Sequence, residues 1–113
     1  MKAYNLRNKK ELSDNVHIAK NLFHRVKGLI GRDTIAVGEA LWIKPCISIH
    51  TFLMKFPIDV LFLDKKNRVI AAIKNLQPNR ITRLYPRAFS VLELPAGTIE
   101  ATSTEVGDEI EFS

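Results

Sequence analysis

The chain has 113 residues, of which 46 % are apolar and 26 % are charged, a balance typical of one soluble globular domain spanning residues 1–113. The lone cysteine excludes an internal disulfide and a cysteine-rich zinc site. No uninterrupted apolar run approaches the roughly 20 residues that a membrane-spanning helix requires.

The first ten residues, MKAYNLRNKK, contain no long apolar stretch. We therefore predict no signal peptide and a cytoplasmic location.

Eight short strands follow from runs of apolar residues bounded by turn residues. In chain order they are predicted at residues 4–6, 16–19, 40–44, 47–54, 58–63, 69–73, 89–94 and 109–112. Residues 58–63 are almost entirely apolar, which predicts burial on both faces. Residues 64–67 then predict the turn of a hairpin, in which Asn67 tolerates left-handed geometry.

Two short helices complete the predicted elements. Apolar residues spaced by three and four mark a helix at residues 20–29, and Gly31 is placed to end it. Thr98 can cap a second helix that extends to Val106. The fold class is mainly β or α+β, and we expect a small compact β-barrel-like domain with two short helices.

The net charge of +5 is unevenly distributed. The first 92 residues hold all 17 basic groups against six acidic ones, a net +11, whereas residues 93–113 hold six acidic groups and no Lys or Arg. This asymmetry is compatible with an anionic partner such as nucleic acid. Because the basic residues are scattered, the plainer interpretation is a solvated surface folded against an acidic terminal strand.

Residues 46–54, CISIHTFLM, place polar groups inside an apolar block. In an extended strand, alternate side chains share one face, which here would hold Cys46, Ser48, His50, Phe52 and Met54. The sequence predicts a ligand-binding pocket around this strand, with Trp42 as a wall and either Arg32 or the Arg80–Arg87 loop at the rim. The plainer alternative is a buried thiol and a hydrogen-bonded strand histidine.

Catalysis by this stretch meets a geometric obstacle. In an extended strand Cys46 and His50 are about 13 Å apart at roughly 3.3 Å per residue, too far for proton transfer unless the strand bends. A metal would need ligands beyond these two residues. We therefore assign no catalytic residue, no metal ligand and no cofactor.

Asp59 opens the apolar strand at residues 58–63, where an unpaired carboxylate is costly. We expect it to accept hydrogen bonds from the turn around Pro57, or to pair with Lys55 or His50. A role as a ligand-binding residue is the alternative, and strand register decides between them.

Residues 74–88 are predicted to form a long loop, and long loops in compact domains are often functional. Arg80, Arg83 and Arg87 within it are candidates for binding the phosphate or carboxylate group of a ligand. They are equally compatible with solvated loop charges. The few neighbouring aromatic residues give little support for a nucleic-acid stacking surface.

Four blocks of the sequence resemble the family called domain of unknown function 192. They are GLIGR at 28–32, ALWIKPCISIHTFLMKFPIDVLFLD at 40–64, VLELPAG at 91–97 and VGDEIEF at 106–112. Family members often read GLMxR where this chain reads GLIGR. The resemblance implies a compact β-rich domain and brings no established activity.

Three functions therefore remain open. The first is a module that binds a small molecule or a protein at the pocket around Cys46 and His50. The second is a nucleic-acid-binding domain that uses the basic surface. The third is an enzyme that uses Cys46 and His50.

Overall fold

The computed structural model describes residues 1–19 and 32–113, so the helix predicted at residues 20–29 lies outside the described residues. Within the described residues the chain forms eight strands and one short helix. They are β1 (Ala3–Asn5), β2 (Glu11–Ser13), β3 (Asn15–Ala19), β4 (Glu39–Ile43), β5 (Ile58–Leu63), β6 (Val69–Leu76), β7 (Ser90–Pro95), α1 (Thr98–Ala101) and β8 (Ile110–Phe112). The prediction of a mainly β domain is confirmed.

A five-stranded sheet in the order β3-β4-β7-β5-β6 organises the domain. β3 and β4 pair in parallel, and the other neighbours pair antiparallel. All six residues of β5 are buried, as its continuous apolar sequence predicted. The predicted hairpin is also confirmed, since Leu63 pairs with Val69 and Asn67 turns the chain with a φ of 61°.

Two hydrophobic cores lie on opposite faces of this sheet because successive strand residues point to opposite sides. Val60 and Phe62 contribute to one core, whereas Leu61 and Leu63 contribute to the other. The first core also contains Cys46 and will be called the Cys46 core.

A smaller sheet in the order β2-β1-β8 brings the two ends of the chain together. Beside it, the buried carboxylate of Asp108 accepts hydrogen bonds from Asn5 Nδ2 at 2.8 Å and from Arg7 Nε at 2.7 Å. These contacts hold residues that are about a hundred positions apart in sequence.

Four predictions about the elements differ from the structure. β2 was not predicted, and residues 47–54 form turns with a single β-bridge at His50 instead of a strand. The helix begins after Gly97 and ends at Ala101 instead of Val106. Thr98 does not cap it, because the Thr98 hydroxyl donates to the carbonyl of Pro95 at 2.7 Å. Neither sheet closes on itself through the described strand pairings, so the barrel-like expectation is not confirmed.

Across residues 1–19 and 32–113, no helix is long and apolar enough to cross a membrane.

Candidate functional site

Two loop segments beyond the sheet, residues 47–53 and 79–85, lie side by side. The amide of Thr51 donates to the carbonyl of Arg80 at 2.8 Å, and the amide of Thr82 donates to the carbonyl of Ile49 at 2.9 Å. The paired segments place the predicted Cys46–His50 stretch against the predicted arginine loop.

Cys46 is buried at the base of this loop pair. Its side chain belongs to the Cys46 core, and its Sγ lies 3.0 Å from the carbonyl oxygen of Ser48, to which the thiol can donate. Its amide donates to the carbonyl of Phe89 at 2.9 Å. The thiol is thus held in an apolar environment, where it behaves as a small core side chain.

His50 faces Phe52. Its Nδ1 accepts the amide hydrogen of Phe52 at 3.3 Å, and the two rings stack with centroids 5.0 Å apart. The prediction that one strand face holds Cys46, Ser48, His50, Phe52 and Met54 is wrong, because these residues do not form a strand. Met54 is buried in the Cys46 core, while Phe52 is exposed.

Asp59 is fully buried and serves the fold. Oδ1 accepts the amide hydrogen of Asn75 at 2.9 Å, and Oδ2 accepts those of Gly97 at 3.1 Å and Ile99 at 2.8 Å. The prediction for Asp59 was main-chain hydrogen bonding near Pro57 or a pair with Lys55 or His50. The observed partners are main-chain donors, but they lie in β6 and at the start of α1.

Trp42 lies in the core opposite Cys46. Its ring stacks on that of Phe112 with centroids 3.6 Å apart, and the ammonium of Lys44 lies 3.9 Å from its centroid. Its indole N–H is buried with no hydrogen-bond partner among the described residues.

Arg32 forms two hydrogen bonds with one carboxylate. Its Nη1 and Nη2 donate to the two oxygens of Glu39 at 3.0 and 2.7 Å. This bidentate contact is the main reason why the pKa of Glu39 lies below its usual value.

A cleft of 650 Å³ opens between the turn that precedes β6, the loop before β7 and the turn before β8; it will be called the arginine cleft. Arg83 and Arg87 line it, but Arg80 does not. The lining residues are Asp64, Arg68, Val69, Ile70, Arg83, Tyr85, Pro86, Arg87, Val106 and Gly107. Its volume falls within the range of pockets that bind small molecules.

The arginines of the cleft differ in their neighbours. Asp64 Oδ2 accepts a hydrogen bond from Arg68 Nε at 3.2 Å. Burial raises the pKa of Asp64, but the hydrogen bonds from the Arg68 and Lys66 amides and from Arg68 outweigh it, so the pKa lies below its usual value. Asp64 therefore stays ionised at neutral pH and balances the charge of Arg68.

Arg83 and Arg87 form no ion pair within the described residues. The guanidinium of Arg83 lies 5.3 Å from the ring centroid of Tyr85, and that ring packs on Phe62 in the core with centroids 4.2 Å apart. Tyr85 thus connects the cleft to the rigid sheet and orients Arg83. The cleft presents two positive charges beside an apolar wall.

Sequence reasoning missed the apolar wall and Arg68. Ile70 lies on β6, and Val106 lies in a turn more than 30 residues further along the chain. No local pattern connects these residues, since they meet only when the sheet forms. In the described residues, no group of three His, Cys, Asp or Glu side chains is arranged to hold a metal ion.

Comparisons with known proteins agree with this fold. A UPF0127 protein of Thermococcus sibiricus is 37 % identical over 103 residues, in an alignment that covers 86 % of this chain and 65 % of that protein. A UPF0127 protein of Pyrococcus furiosus is 33 % identical over 109 residues, which cover 92 % of this chain and 91 % of the relative. The chain therefore spans less than two thirds of the Thermococcus relative's length.

A crystal structure of a protein of unknown function from Novosphingobium aromaticivorans superimposes with a TM-score of 0.83. It covers 98 % of this chain and 82 % of that one, at 18 % identity, so the likeness concerns the fold. The family described as uncharacterised ACR matches residues 4–112. The chain therefore belongs to this family, domain of unknown function 192.

Proposed function

We propose that the protein is a binding module whose ligand is a small amphipathic anion held in the arginine cleft. The observation that carries the proposal is that Arg83 and Arg87 line one cleft together with Tyr85, without an ion-pair partner among the described residues. A phosphate or carboxylate group suits two guanidinium groups because each can donate two parallel hydrogen bonds.

The apolar wall defines the rest of the ligand. Val69 is buried and Ile70 is partly buried beside the exposed side chain of Val106. A ligand with an apolar body would cover Ile70 and Val106 while its anionic group meets the arginines. Burying that surface adds affinity that a bare anion lacks.

Isothermal titration calorimetry tests the proposal by comparing the affinity for phenyl phosphate with the affinity for inorganic phosphate. We expect phenyl phosphate to bind about tenfold more tightly, since its ring buries apolar surface. Arg83→Gln and Arg87→Gln should each weaken binding, while Arg80→Gln, which removes a charge outside the cleft, should not. Equal weakening by all three variants would point to a diffuse positive field.

Nucleic-acid binding is the second candidate. It is supported by the seven Lys or Arg residues in residues 65–92, which contain no Asp or Glu. Such binding should weaken steeply with salt. A protein that is not retained on immobilised DNA at about 50 mM salt would remove this candidate.

A ligand site built around Cys46, Ser48 and His50 stays a prediction, as does a cytoplasmic location. The burial of Cys46 and the contact of His50 with Phe52 favour structural roles for both residues.

A further inference from the structure

The paired loop segments 47–53 and 79–85 expose a concentration of large apolar side chains, which we call the apolar platform. The bridge between His50 and Ile81 joins the two segments at its centre. The exposed fractions are 44 % for Ile47, 45 % for Phe52, 72 % for Leu53, 70 % for Ile81 and 62 % for Leu84. Clustered exposure of this kind marks a surface that contacts a partner.

Leu53 is held in a conformation that leucine disfavours. Its φ is 66°, in the left-handed region that suits glycine or asparagine, and its amide lies 3.4 Å from Asn79 Oδ1, which accepts its hydrogen. The side chain also contributes little to the core, since most of it is exposed. Neither the backbone nor the packing of the folded chain therefore favours leucine at this position.

The sequence ranges that carry the platform are mostly basic. Residues 40–58 contain Lys44 and Lys55 and no acidic residue, and residues 65–92 contain seven basic residues and no acidic one. Two acidic residues lie between these ranges: Asp59 is fully buried, and Asp64 is paired with Arg68. Asp33, which precedes both ranges, lies 3.5 Å from Lys55. The partner is therefore expected to be anionic.

A second copy of this chain suits the platform poorly. A twofold interface places the same patch of each subunit against the other, which would bring the basic residues of both copies together. Like charges across an interface oppose association.

We propose that the apolar platform docks onto an anionic lipid surface. Its apolar side chains stand on two adjoining loops, and a fluid bilayer accepts such side chains without needing a complementary shape. Arg80 and its basic neighbours can extend their charged ends to lipid phosphates while their stems stay beside the apolar side chains. Leu53, Ile81 and Arg80 do not line the arginine cleft, although segment 79–85 also carries Arg83 and Tyr85, which do.

Co-sedimentation with vesicles tests the proposal. One set contains phosphatidylcholine alone, and the other contains equal parts of phosphatidylcholine and phosphatidylglycerol. The full chain should bind the anionic vesicles and not the neutral ones. Leu53→Asn removes the apolar side chain while suiting the left-handed backbone, so the variant should fold and bind about tenfold more weakly.

Val37→Asn is the matched control, because Val37 is 99 % exposed in a turn before β4 and lies outside the platform. It should bind as the unaltered chain does. Absence of binding to anionic vesicles, equal binding to neutral ones, or identical affinities of the two asparagine variants would each overturn the proposal. Binding that weakens with salt but is unchanged by Leu53→Asn would also overturn it, since that result indicates a purely electrostatic contact with a polyanion. The proposed cleft ligand is tested with different residues and a different probe.

Discussion

The carboxylate of Asp59 in β5 holds the main chain of Ile99 in α1, with Oδ2 accepting the amide hydrogen at 2.8 Å although the residues are 40 positions apart. The same carboxylate also accepts hydrogen bonds from the main-chain amides of Asn75 and Gly97. One buried side chain therefore joins β5, the neighbouring edge strand β6 and the short helix.

Asp59→Asn should lower the free energy of unfolding by about 2–3 kcal/mol. An amide offers one acceptor oxygen where the carboxylate offers two, and its NH2 group would face a main-chain donor. Urea unfolding followed by circular dichroism measures the change.

Asp33→Asn is the matched control for Asp59→Asn. The Asp33 side chain is 91 % exposed, and within residues 1–19 and 32–113 its ionic partner is Lys55, whose Nζ lies 3.5 Å from Oδ1, so the change should cost less than about 0.5 kcal/mol. Equal costs for the two variants would contradict the role given to Asp59.

The pKa of Asp108 is lowered to about 2, chiefly because Arg7 hydrogen-bonds its carboxylate. A folded-state pKa below the unfolded value means that the ionised form favours the fold. This contribution is complete above about pH 4 and is lost as the pH falls through about 2.

Arg7→Gln should therefore destabilise the protein near neutral pH, and only modestly, because the Arg7 side chain is half exposed and solvent weakens its contact with Asp108. The difference from the unaltered protein should shrink as the pH falls to about 2, where Asp108 becomes protonated in both. Urea unfolding across this pH range provides the measurement. Lys10→Gln should show no such pH dependence, and a constant Arg7→Gln effect at every pH would contradict the assignment.

The stacked rings of Trp42 and Phe112 join the large sheet to the C-terminal strand β8. Phe112→Leu should cost about 1 kcal/mol through the lost ring contact. It should also shift the emission of Trp42, the single tryptophan, to longer wavelength as water reaches the indole. Phe89→Leu, at a residue that is 39 % exposed, should leave the emission unchanged.

Cys46 should react slowly with a thiol reagent in the folded protein and rapidly in denaturant, because only 6 % of the residue is exposed. His50→Ala should leave the folded-state rate unchanged, since the His50 ring contacts Phe52. A thiol that reacts fast near neutral pH and loses this reactivity in His50→Ala would restore the chemical interpretation of residues 46–50.

Elements that depend on neighbouring residues were predicted correctly from the sequence, whereas features that depend on contacts between distant residues were not. β5 was predicted because its continuous apolar sequence requires two covered faces, and the hairpin turn because Asn67 adopts the expected left-handed geometry. Residues 47–54 alternate like a strand, but the chain turns at Leu53 and pairs with residues 79–85. The donors to Asp59 and the wall of the arginine cleft come from distant parts of the chain, so no local pattern could identify them.

The central claim is that Arg83 and Arg87 bind an anion beside an apolar wall. A titration of the labelled protein with phenyl phosphate, followed by two-dimensional NMR, tests it most directly. The account predicts saturable shifts in the amide signals of Ile70, Tyr85 and Val106, lost in Arg83→Gln and kept in Arg80→Gln. Shifts that are absent, or that spread over the basic surface and persist in Arg83→Gln, would contradict it.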